Sequence, residues 1–129
     1  MLELTIGGQV YSFRFGMGFL KEINGRISVQ VEDMNGAKRN VGLRWAIAQI
    51  MDGDVETLVD VLDVANKGES PRLTRKALES YVEDDSTDID ELFSTVLNFF
   101  KCANCTRKTM EEVVKAVEEQ KAKEQQGKR

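Results

Sequence analysis

The chain contains no histidine. That removes the commonest general base, the Ser–His and Cys–His nucleophile pairs, and most catalytic zinc sites. Carboxylate and lysine chemistry stay open, but the expectation moves away from an enzyme. Cysteine is scarce as well, with two in 129 residues, and proline and tryptophan occur once each, as Pro71 and Trp45. The longest apolar runs fall far short of the roughly 20 residues of a membrane-spanning helix. No basic-then-apolar signal segment opens the sequence. Together these absences predict a protein of the cytoplasm, with no membrane partner and with reduced thiols. Basic charge is not in excess either: 18 Lys and Arg face 22 Asp and Glu, a formal net charge of −4. Nucleic-acid binders carry a basic face, so this balance argues against a nucleic-acid partner.

What is present suits one soluble globular domain. Apolar residues make up 41% and charged residues 31%, enough of each for a core and a wetted surface. "LELTIGGQVYSFRF" (2–15) reads as a hairpin: two period-2 runs joined by Gly7-Gly8, a pair that accepts positive φ. Its inward face would carry Leu2, Leu4, Ile6, Tyr11, Phe13 and Phe15. Met17, Phe19, Leu20 and Ile23 fit a short helix that stops at Asn24-Gly25. Ile27, Val29 and Val31 alternate with polar residues, which allows a third strand, followed by an Asn35-Gly36 turn and a polar loop.

Helical spacing dominates from Val41 onward. Leu43, Ile47, Ile50 and Met51 share a face that ends at Asp52-Gly53. Val55, Leu58, Val59, Leu62 and Ala65 share the next, with Asp54 as N-cap and Gly68 as stop. Thr74 is placed to cap a helix whose face is Leu78, Tyr81 and Val82. In "DDSTDIDELFSTVLNFFK", Ser86 or Thr87 is the expected cap, with Asp88, Asp90 and Glu91 in the first turn, where the helix dipole favours them. Ile89, Leu92, Phe93, Val96, Leu97 and Phe100 form its apolar stripe. Thr109-x-x-Glu112 has the form of a capping box opening a last helix through Val117. The pattern predicts an α+β, mostly α domain over 1–117: an N-terminal β-hairpin, with a third strand as an option, packed on a bundle of about five helices. Residues 118–129 keep helix formers but no apolar face, so they should fray or project into solvent as a charged tail.

No stretch carries a catalytic or cofactor signature, and the expectation is no cofactor and no metal. "GGQVYSFRFGMG" lacks both the P-loop ending and the dinucleotide-binding spacing. "EDDSTDIDE" lacks the central glycine and twelfth-position glutamate of a calcium loop. "KCANCTRKT" (101–109) holds Cys102 and Cys105. They are open to three readings: a redox pair, half of a zinc site, or two small apolar residues in an inter-helix turn. With no histidine and no βαβ setting the third is preferred. Trp45 lies off the Leu43/Ile47 face and is either a second packing contact or a partner anchor, tryptophan being enriched in interface hot spots. Phe19 and Phe99 allow the same two readings. Met110 and Val114, with Val113 and Val117, would serve a docking or self-association face. Phe19, Trp45, Phe99, Met110 and Val114 are therefore the candidate partner-binding residues.

The order of these features resembles a known family. "LTIGGQVYSFRFGMGFLKEIN" is similar to the start of the tail assembly chaperones encoded by siphophages and prophages of Gram-positive bacteria. "VGLRWAIAQIMDGDVETLVDVLDVANKG" resembles their middle, and "SPRLTRKALESYVED", "DIDELFSTVLNFF" and "TRKT" their C-terminal half, so that the resemblance spans about residues 2–117. It implies a non-enzymatic protein of the host cytoplasm. Such chaperones bind the phage tape measure protein before the tail tube polymerises, keep it soluble, help recruit the tail tube protein, and are absent from the mature virion. A homo-oligomer repeated along the client would suit that role. Two other readings compete: a structural tail component of the virion, and a metal- or redox-linked regulatory domain using Cys102 and Cys105.

Overall fold

The computed structural model of the chain describes residues 1–26, 30–32, 38–40 and 42–127. Strands β1 (Leu2–Ile6) and β2 (Gln9–Phe13) pair antiparallel, with Leu2 opposite Phe13 and Leu4 opposite Tyr11. The turn works as its sequence requires: Gly7 and Gly8 both take positive φ, 59° and 79°, which suits the right-handed twist of the flanking strands. Leu2, Phe13 and Phe15 are buried, and Leu4, Ile6 and Tyr11 pack against the same core.

Strand β3 (Gln30–Glu32) corrects the expectation of a third strand in the first sheet. It pairs with β4 (Lys38–Asn40) as a separate two-stranded sheet. The segment expected as polar loop thus supplies its own partner strand, and backbone pairing rather than apolar alternation decides the outcome. Ile27, Val29 and the Asn35-Gly36 turn lie outside the described residues.

The described residues form six helices where about five were expected: α1 (Met17–Arg26), α2 (Gly42–Met51), α3 (Val55–Asn66), α4 (Arg75–Glu83), α5 (Ile89–Cys102) and α6 (Asn104–Gly127). Helix α1 runs through Asn24-Gly25 instead of stopping there. The Asn24 side chain serves the next helix instead. Its Oδ1 accepts the Leu43 N–H at 2.9 Å, satisfying one free donor at the start of α2. The two helices touch closely here. A Cβ on Gly42 would lie 2.8 Å from both Asn24 Cα and the Ile23 carbonyl oxygen, so only glycine fits without moving backbone.

Helix α3 sits at the centre. From Thr57 to Asn66 every residue is buried except Asp60, with β2, α1, α2 and α4 around it. The single apolar face expected for it is therefore too narrow. Val61 and Val64 are buried as well, whereas Val55, at its start, is exposed. A helix covered on all sides is apolar nearly all round.

The helix ends follow the sequence in part. Thr74 Oγ1 accepts the Ala77 N–H at 3.1 Å, the expected cap of α4. The cap of α5 is Asp88, whose Oδ1 accepts the Glu91 N–H at 3.0 Å, not Ser86 or Thr87. Those two are engaged elsewhere: Thr87 Oγ1 donates to the Tyr81 carbonyl, and Ser86 donates through both N and Oγ to Asp84. Helix α6 begins at Asn104, so Thr109 lies inside it and the expected capping box does not form. Glu112 instead pairs with Arg44 of α2. Helix α6 folds back on α5 and α2, burying Met110 and Val113. The segment read as a charged tail is helical to Gly127, and residues 118–124 are all exposed.

Candidate partner-binding surfaces

The residues singled out in the sequence fall in different surroundings. Phe19 is 4% exposed and meets Phe15 edge-on, with ring centroids 5.0 Å apart. Phe99 is half-buried on the other side of Phe15, at 6.4 Å, and Phe100 closes the cluster at 5.2 Å from Phe15. Phe15 thus joins Phe19 and Phe99 in one aromatic cluster, and Phe19, though almost wholly buried, edges a surface groove with Met17 and Val64. Trp45 stands apart on the outer side of α2, 38% exposed. Met110 is buried and Val114 half-buried on α6, and both line a surface groove. The five residues do not form one surface.

The cysteine-containing turn is held by its neighbours. The Ala103 N–H donates to the Phe99 carbonyl at 2.9 Å, ending α5. Thr106, fully buried, donates its hydroxyl to the Phe100 carbonyl at 2.8 Å. Cys102 is exposed and Cys105 half-buried, both as free thiols. Among the described residues, no group of three or more His, Cys, Asp or Glu is placed to hold a metal ion.

A polar network that no motif announced ties the domain together. Asp63 and Asn66, both buried on α3, receive Arg72: its Nη2 donates to Asp63 Oδ1 and its Nη1 to Asn66 Oδ1, each at 2.9 Å. Arg26 of α1 reaches Asp63 Oδ2 at 3.3 Å. Asn66 also donates to the Ser12 carbonyl of β2 at 2.9 Å and accepts the Leu73 N–H at 2.6 Å. Hairpin, α1, α3 and the loop before α4 meet here. Among the described residues, no buried side-chain nitrogen or oxygen lacks a partner, so the network is complete and rigid rather than poised for a ligand.

Arg75, Tyr81 and Asp84 are displaced from their ordinary values. The Arg75 guanidinium is held further up, first by its hydrogen bond to Asp60. Burial pushes the Tyr81 hydroxyl up, with the Glu91 charge adding to it. Asp84 is held down by the Ser86 N–H, then by the Ser86 hydroxyl. All three are explained by surface pairing, packing or a turn.

Several grooves open on the surface of the described residues, a small one of about 190 Å³ being lined by Leu4, Tyr81, Leu92 and Thr95 with Asp88 and Glu91. One of about 690 Å³ lies between Arg14, Met17 and Glu22 on one side and Val64, Lys67 and Glu69 on the other. It has charges of both signs, and Lys67 and Glu22 pair across it at 2.7 Å. A second, of about 370 Å³, is floored by Met110 and Val114 and rimmed by Lys101, Lys115, Glu111 and Glu118, again balanced in charge. A third, of about 450 Å³, runs between the α2–α3 turn and α5. Ile89, Phe93 and Leu97 form one of its walls, Ile50, Met51 and Val55 the other. The apolar stripes of these helices were legible in the sequence. What was not legible is that Met51, Ile89, Phe93 and Leu97 are only half-covered and Val55 is open.

These surfaces offer grooves lined in part by apolar side chains. None of the described helices is long and apolar enough to cross a membrane. A family model described as phage tail assembly chaperone protein, TAC, matches residues 3–115. No curated protein and no solved structure matches the chain.

Proposed function

The chain belongs to the phage tail assembly chaperone family, and on that premise we propose that it binds the phage tape measure protein, keeps it soluble and assists tail tube assembly without catalysing a covalent reaction. The observation that carries this reading is the family match, which takes in the hairpin from Glu3 onward and the six described helices up to Lys115 of α6. The surface supports it. A long helical client presents amphipathic segments before the tail is built, and their apolar faces need temporary cover. Partly exposed apolar grooves on a rigid domain supply such cover, and several copies along one client would multiply it. The copies therefore self-associate on the client, act in the host cytoplasm, present it to tail tube protein and are left out of the mature virion.

Co-expression of this chain with the tape measure protein of the same phage tests the reading. The expected result is a clear rise in the soluble fraction of the tape measure protein and its recovery in complex with the chain. Equal insolubility with and without the chain overturns it, as does an abundance of the chain in purified mature virions by mass spectrometry.

A further inference from the structure

We propose that the groove between the α2–α3 turn and α5 is a docking site for an amphipathic helix whose apolar stripe is flanked by lysine or arginine. This rests on the chaperone reading, for which it names a surface and the chemistry of the segment bound there. Ile89, Phe93 and Leu97 stand at i, i+4 and i+8 on α5, a single ridge of about 12 Å at 1.5 Å per residue. Met51 and Val55 face them across the groove. All five are partly open, and Val55 is 42% exposed. A ridge of this spacing receives the i, i+4 ridge of a second helix.

Charge decides what kind of helix. Asp90 lines the groove, and Asp52, Asp54 and Glu56 flank Gly53 and Val55 on the opposite wall. No lysine or arginine lines it. Among the described residues, none of these four carboxylates takes part in an ion pair, while Glu22, Asp60, Asp63, Glu79 and Glu112 all do. The grooves of about 690 and 370 Å³ carry both signs, and the acidic groove beside Leu4, at about 190 Å³, has less than half the volume of this one. An apolar stripe with positive flanks therefore matches this groove in shape and potential, and an acidic helix is repelled from it. The most lysine-rich helix of the chain, α6, does not offer this match from a second copy, because Met110 and Val113 of its apolar side are committed to its own core.

The test uses the full chain and labelled model helices read by fluorescence anisotropy. One peptide carries leucines at i, i+4, i+8 flanked by lysines. A second replaces the lysines by glutamates, and a third scrambles the leucines at constant charge. The lysine-flanked helix is expected to bind, more weakly as salt rises, and the other two not. Asp52→Lys with Asp90→Lys, both at exposed positions, is expected to weaken binding about tenfold and remove its salt dependence. Val55→Glu should weaken it similarly, with circular dichroism confirming an intact fold. Equal binding of the ordered and scrambled peptides overturns the proposal, and so does unchanged affinity in both variants. Running the same variants in the tape measure co-expression separates the two claims. If the wild type solubilises the client and Asp52→Lys/Asp90→Lys does so equally, the groove assignment falls and the chaperone reading stands. If the wild type itself fails, the chaperone reading falls, and the peptide titration alone decides the groove.

Discussion

Asn66 is fully buried at the end of α3, and its amide makes four hydrogen bonds, to Ser12, Pro71, Arg72 and Leu73. Alanine at this position strands the Ser12 and Pro71 carbonyls and the Leu73 N–H. A buried polar group left without its partner costs about 1–3 kcal/mol. The Asn66→Ala protein should therefore lose about 3–5 kcal/mol of stability in urea denaturation. Asn98→Ala, at an exposed position of α5, should stay within about 0.5 kcal/mol of wild type. A loss below about 1 kcal/mol at Asn66 would show that water replaces the network. The sequence offered only "ANKG", a helix stop, at this point. Its meaning depends on Ser12, 54 residues away, and no local pattern reports a partner at that distance. Single aromatics were equally ambiguous. Phe19 and Trp45 allowed the same two readings, packing or partner anchor, yet one is core and the other is exposed, because local spacing does not show what stands opposite.

At the scale of elements, the chain is most legible where one physical signal acts alone. The first hairpin needed only alternation and two glycines, and its register followed. Thr74 was the lone cap-competent residue before α4 and caps it. Where several residues could do the same job, the sequence did not choose. Ser86, Thr87 and Asp88 all suit an N-cap, and Asp88 takes it because the other two are drawn into the turn after α4. The Thr109-x-x-Glu112 box satisfied a local rule and lost to tertiary contacts, Glu112 to Arg44 and the chain turn to Thr106. That α4–α5 turn has a measurable signature. Asp84 is held below its ordinary value first by the Ser86 N–H and then by the Ser86 hydroxyl. Ser86→Ala removes only the second. The Asp84 pKa, followed by carboxyl NMR, should rise in the variant but remain below the ordinary carboxylate value. The sign for stability follows. A depressed folded-state pKa means that the turn is supported above the unfolded value, and that support is lost as pH falls through the folded one. The variant should lose part of this support, and no shift of Asp84 in Ser86→Ala would show that the hydroxyl bond is absent in solution.

For the whole molecule, periodicity identified which residues are apolar but not how completely the neighbouring helices cover them. The groove of Met51, Val55, Phe93 and Leu97 draws its lining from α2, α3 and α5, and no single helix encodes that juxtaposition. The same limit applies to α6. Its apolar residues end at Val117, and the sequence left open whether the helix folds back or swings out. It folds back as far as Val117 and then projects, its exposed turns carrying Glu118, Glu119, Lys121, Lys123 and Glu124. Beyond Val117 the side-chain bond found is Gln120 to Glu124, at 3.5 Å on the helix surface, too weak to anchor anything. A chain ending at Val117 should therefore melt within about 3 °C of the full one. A chain ending at Ala103 uncovers the apolar side of α5 and α2 that Met110 and Val113 now seal, and truncating even one such side chain in a core costs about 2–5 kcal/mol. That shorter chain should show no cooperative melting in calorimetry. If instead the Val117 truncation melted more than about 8 °C lower, the projecting turns would have to pack on the domain or on a second copy. Analytical ultracentrifugation of the full chain would then distinguish these two by mass.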